Sequence, residues 1–100
     1  MSEPHRMQWT SYARRRCAQR GFHLDIVERL LRTSTERYSD VDTGRRVVVG
    51  RHDALLVLIA YETGPADVLV PVTVHATTRA QVQARLLRGR YHYAYTGVLS

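Results

Sequence analysis

Apolar positions along the first third of the chain recur at helical spacing. Trp9, Tyr12, Ala13 and Cys17 fall on one side of a stretch without Gly or Pro, which predicts a helix over residues 9–20, ended by Gly21. A second helix is predicted over residues 24–32, with Val27, Leu30 and Leu31 inward, and the short link between the two predicts an αα-hairpin. The period then changes to that of strands. Residues 37–41 form a weak strand, Asp42-Thr43-Gly44 a turn, and residues 45–51 a strand centred on Val47-Val48-Val49. His52-Asp53 turns the chain again. Residues 55–61 are apolar on both faces, the signature of a central strand covered twice. After Gly64-Pro65, valines alternate at 68, 70, 72 and 74 and are expected to face the helices, with Leu69, Pro71, Thr73 and His75 opposite. Pro71 cannot donate to a ladder, so this strand lies at an edge or carries a bulge there. Thr77 or Thr78 caps a third helix over residues 79–88, closed by Gly89.

These elements define an α+β fold in the order α-α-β-β-β-β-α: an N-terminal helical hairpin, a four-stranded antiparallel meander and a C-terminal helix, with the helices largely on the valine face. The 100 residues make one domain with its core at about 9–90, and residues 91–100 are a tail or an added strand. No run of 18 apolar residues exists, so no membrane span or membrane partner is expected. The start of the chain has no secretory apolar segment. Cys17 is the single cysteine, which excludes an internal disulfide and fits a cytoplasmic location. It lies on the inward side of the first helix, as a core residue rather than a nucleophile.

Charge changes the picture. The net charge is +6, and all 15 basic side chains are arginine. The absence of lysine is what codon bias in a GC-rich genome produces. The distribution along the chain is a different matter. Residues 1–20 carry five Arg against Glu3, a net of +4, and residues 76–95 carry four Arg and no acid, again +4. Residues 21–75 carry six Arg against eight acids, a net of −2. Basic ends of this kind are either two solvated helix faces or a footprint for phosphate.

Three places could carry chemistry. Arg16 and Arg20 share a side of the first helix with Trp9 and Ala13, so both are expected to point toward the body of the domain. There they either pair with an acid (Asp25, Glu28, Glu36, Asp40 or Asp42) or line a phosphate pocket beside Tyr12. The preferred arrangement has Arg20 paired with an acid of the second helix or the following loop, and Arg16 facing a cleft. His75 ends a strand before a helix start. It is either a general base, with Arg79 neutralising phosphate, or a polar residue on the open sheet face. In Arg90-Tyr91-His92-Tyr93-Ala94-Tyr95 the tyrosines alternate, so basic and aromatic groups interleave as they do where bases stack, or the segment is simply an added strand. There is no Gly-rich phosphate loop, and the five histidines have no metal-ligand spacing, so no cofactor or metal is expected.

The run Tyr12-Ala13-Arg14-Arg15-Arg16-Cys17-Ala18-Gln19-Arg20-Gly21-Phe22 resembles the opening pattern H-A-x-x-R-M-x-x-R-G-[IF] of a bacterial family of unknown function. Gly44–Arg51 resembles its strand, and Thr73-Val74-His75 with Arg79-Ala80-Gln81 resembles its T-V-[YH] and R-x-Q close; the likeness covers about residues 9–90. That family in turn resembles RelE/ParE and BrnT-like toxins, which cleave RNA or poison gyrase and pair with an antitoxin. The resemblance implies a small endoribonuclease toxin acting on RNA, free or on the ribosome, and restrained by an acidic antitoxin protein. His75 would be the base and Tyr12 or Tyr91 the acid. Arg16, Arg20, Arg46 and Arg79 would clamp the phosphate, with Arg85 and Arg88 adding contacts to RNA. Tyr12 stands where the family has histidine, and Cys17 where it has methionine. The competing expectation is a module that binds nucleic acid or an acidic protein without catalysis.

Overall fold

The computed structural model describes residues 6–94. Helix α1 spans Ser11–Gln19, α2 Leu24–Thr33 and α3 Arg79–Leu87; strands β1 Arg37–Asp40, β2 Arg46–His52, β3 Leu55–Thr63, β4 Leu69–Ala76 and β5 Tyr91–Tyr93 form one antiparallel sheet in the order β4-β3-β2-β1-β5. The fold is α+β, as the periodicity predicts, but the sheet has five strands and not four. The fifth comes from the expected tail or added strand: Tyr91, His92 and Tyr93 pair with Asp40, Ser39 and Tyr38. It forms because the chain reverses after α3 at Gly89, whose φ of +78° suits glycine and penalises other residues.

The helices begin where their caps allow. Thr10 accepts the amide of Ala13 at 3.0 Å, and Thr78 accepts that of Gln81 at 3.1 Å, each relieving an unpaired donor of the first turn. α1 packs over β4 and α2 over β2, and both lie on one face of the sheet. There Cys17, Phe22, Val27 and Leu31 meet Val48, Val57, Ile59 and Val74. On the other face Val82 of α3 meets Val47, Val49, Leu56 and Leu58, beside Tyr38 and Tyr91. β3 therefore has apolar neighbours on both sides, as its composition requires. Helices cover both faces, which corrects the expectation that they gather on one. α3 must pack opposite α1 and α2 because Leu56 and Leu58 alternate with Val57 and Ile59, and neither set can be left in water.

The valine ladder is also corrected. Leu69 and Pro71 are buried while Val70 and Val72 are half-buried, and only from Val74 does a valine face the α1–α2 core. Ala60 pairs with Thr73 and Tyr61 with Pro71, so Val72 is the extra residue of a β-bulge. The bulge switches the alternation: Pro71 and Leu69 point to the same side as Val74. Pro71 lies on an edge strand next to the bulge, where a residue without an N–H is tolerated. Part of that edge is covered by the preceding chain, since Leu69 bonds with Arg6 and Gln8.

Candidate nucleic-acid interface

The last turn of α3 and the turn into β5 carry Arg85, Arg88 and Arg90. With Val41, Asp42 and Gly89 they line an open cleft of about 300 Å³. The three guanidinium groups differ in what they already bind. Arg90 is committed to the fold. Its Nε donates to Oδ1 of Asp40 at 3.1 Å and its Nη2 to Oδ2 at 3.0 Å, with Asp42 at 3.4 Å. Asp40 is buried and also accepts the Asp42 amide at 3.0 Å. Burial pushes its carboxyl upward, but the Arg90 bonds and the Asp42 amide outweigh this and hold it below the usual range. The pair ties β1 to the start of β5.

Arg85 and Arg88 are different. Arg85 donates from Nη1 to the Tyr91 hydroxyl at 3.2 Å, with its guanidinium 5.6 Å from that ring's centre. Arg88 is exposed, and its Nε reaches only the Ala84 carbonyl at 3.4 Å. Among the described residues neither forms an ion pair with a carboxylate. Two cations without a carboxylate partner among the described residues thus share one concave surface, in a sequence segment that holds no acid.

An aromatic row runs from this cleft across the neighbouring strands. Tyr91 stacks on Tyr38 at 5.6 Å and 15°, and Tyr38 meets Tyr93 at 5.4 Å and 53°. Tyr38 and Tyr91 are buried, and Tyr93 is 80% exposed. The Tyr38 hydroxyl donates to Glu36 at 2.6 Å, and Arg79 donates to the same oxygen at 2.6 Å. Burial raises the Tyr38 hydroxyl, and Glu36 raises it further. Burial also raises the Glu36 carboxyl, but the Arg79 and Tyr38 bonds prevail and lower it.

The structure brings Arg85, Arg88 and Tyr91 together and disperses the other candidates. Arg79 is engaged by Glu36 at the opposite end of α3. Tyr12 and Arg16 are exposed on α1, across the sheet from the cleft, and Arg46 is exposed on β2. The expectation that Arg16 points into the body is corrected, because Ala13 and Cys17 occupy the buried stripe of α1. Arg16 is one residue, or about 100°, away from it. Arg20, the C-cap, does turn toward the sheet, but among the described residues it pairs with no acid: its Nη1 donates to the Val74 carbonyl at 2.6 Å, on the edge strand. That contact ties the end of α1 to β4. His75 is half-buried. Its pKa is lowered by burial first, then by Arg85 and Arg20. The sequence offers Asp40 as a partner for Arg16 or Arg20 and Arg90 as part of the basic and aromatic run, but not the two as a pair. Their bond spans 50 positions, and no local pattern announces it.

Among the described residues no group of His, Cys, Asp and Glu could hold a metal ion, and no helix is long and apolar enough to cross a membrane. Neither a protein-family model, nor a curated protein, nor a solved structure matches this chain.

Proposed function

We propose that this protein binds nucleic acid, gripping the phosphate backbone in the Arg85–Arg88 cleft. The observation that carries this reading is that both guanidinium groups face one cleft and neither has a carboxylate partner among the described residues. Arginine presents planar, paired donors that match phosphate oxygens, and phosphate would supply the counter-charge that the fold withholds. Arg90 lines the cleft as a strut, its own charge balanced by Asp40 and Asp42.

A second reading rests on His75. Burial and the two flanking arginines keep its imidazole neutral at a higher proton concentration than usual, which is the form a general base needs near neutral pH. Arg85 also donates to the hydroxyl of Tyr91, one of the two proposed acids. On this reading the protein is a RelE/ParE-like endoribonuclease toxin that an acidic antitoxin would restrain by covering the same basic surface.

One experiment addresses both. A labelled RNA oligonucleotide is titrated with the protein across a salt series, and the same samples are run on a gel. Log affinity is expected to fall linearly with log salt. Arg88→Ala should make the slope shallower by roughly 0.7–0.9, the share of one phosphate contact, without changing the melting temperature. Salt-insensitive binding, or an unaltered slope in the variant, would contradict the cleft. Cleavage that disappears in His75→Gln while binding persists would favour the toxin reading, and intact RNA throughout would remove it.

A further inference from the structure

We infer that the nucleic acid this protein takes is single-stranded, with one unpaired base stacked on Tyr93; the inference rests on the cleft reading above. Tyr93 is the anomaly of the aromatic row. Its neighbours Tyr38 and Tyr91 are 3% and 4% exposed, while its own ring is 80% exposed. It is nonetheless positioned. Tyr93 sits in β5 directly opposite Tyr38 of β1, and its ring rests against the Tyr38 ring at 5.4 Å. A large ring that rests on Tyr38 and is otherwise largely open to water offers a flat face for stacking.

The platform is joined to the cleft through rings, not through a flexible loop. Tyr38 stacks on Tyr91, and Tyr91 lies 5.6 Å from the Arg85 guanidinium and 5.9 Å from that of Arg90. Base-stacking and phosphate-binding groups therefore share one rigid strip of β1, β5 and the end of α3. An apolar group borders it: Val41, which lines the cleft at 59% exposure. Single strands offer both kinds of group at once, because their bases can be splayed onto aromatic side chains. In a duplex the bases are stacked on each other, and the groove of an A-form helix keeps them from side chains. A sequence-tolerant grip follows, since every base has a flat face and the strip offers Tyr93 few directed donors.

The test uses the full chain and three probes: a single-stranded RNA oligonucleotide, a blunt RNA duplex of equal length, and inorganic polyphosphate. The variants are Tyr93→Ala, Tyr93→Phe and Arg88→Ala, each checked by thermal melting. Tyr93→Ala is expected to weaken single-stranded RNA about tenfold or more, to leave duplex and polyphosphate affinity unchanged, and to melt like the parent. Tyr93→Phe should keep the affinity for the single strand, which shows that the ring and not the hydroxyl is used. Arg88→Ala should weaken all three probes. Unchanged single-strand affinity in Tyr93→Ala, an equal loss on polyphosphate, or preference of the parent protein for the duplex would overturn the inference. If Arg88→Ala leaves every probe unaffected, the cleft reading itself fails, whatever Tyr93 does. A protein that binds none of the three overturns both and points to a protein partner for this surface.

Discussion

Arg90→Ala is expected to destabilise the domain by about 3 kcal/mol, because it leaves the Asp40 carboxylate buried without its counter-ion. The lower end of the range for broken buried pairs applies, since Arg90 is 37% exposed on its side and water screens part of the interaction. For a domain of this size that corresponds to a melting temperature lower by more than about 10 °C. The loss should depend on pH in a defined direction. In the parent protein Asp40 ionises below its ordinary range, so its contribution is present above about pH 4 and is lost as pH falls through the folded value. In the variant the stranded carboxylate is relieved when it takes up a proton. The gap between the two proteins should therefore narrow on acidification, in thermal melts from pH 7 toward pH 4. A variant that melts like the parent at pH 7 would mean that Arg90 is a free cation of the cleft and not a strut. Arg88→Ala, two residues away and without such a partner, should stay within about 0.5 kcal/mol of the parent.

Val74→Asp is expected to cost more than about 4 kcal/mol and remove most of the stability, because it places an unpaired charge among Cys17, Val57 and Ile59. Val72→Asp should cost about 1 kcal/mol or less, since the bulge leaves that side chain half in solvent. A strict alternation of valines would make the two equivalent. Denaturant midpoints of both variants distinguish the bulged register from the regular one, and equal losses would contradict the bulge.

These contrasts show where sequence reasoning reaches and where it stops. The turns at Gly44 and Gly89 and the doubly covered β3 follow from local chemistry: positive φ in the first two, apolar residues of both parities in the third. The bulge at Val72 does not. Pro71 announces an irregularity, but which side it takes depends on packing against Tyr61, a partner on another strand. Four valines at even spacing made the regular ladder the simpler reading. β5 was legible only as an alternative, since three residues are too few for a periodic signal, and its place beside β1 depends on a bond between Arg90 and Asp40. The site divides in the same way. Charge segmentation brought forward Arg85 and Arg88, and alternation brought forward Tyr91. Helical periodicity alone misplaced Arg16, because a helix this short buries a stripe only as wide as Ala13 and Cys17; it turned Arg20 to the sheet correctly but could not name the Val74 carbonyl as its partner.

Two arginine-rich surfaces compete for the role of binding face: the exposed side of α1, with Arg14, Arg15 and Arg16, and the cleft at Arg85 and Arg88. They lie on opposite faces of the sheet, so a ligand that maps to one can be told from a ligand that maps to the other. The most direct measurement is a nuclear magnetic resonance titration of labelled protein with single-stranded RNA, following the arginine side-chain and backbone amide signals. Arg85, Arg88, Gly89 and Tyr93 are expected to shift together and in proportion to RNA added, with Arg14, Arg15 and Arg16 unmoved. Shifts confined to α1, with the cleft silent, would contradict the assignment.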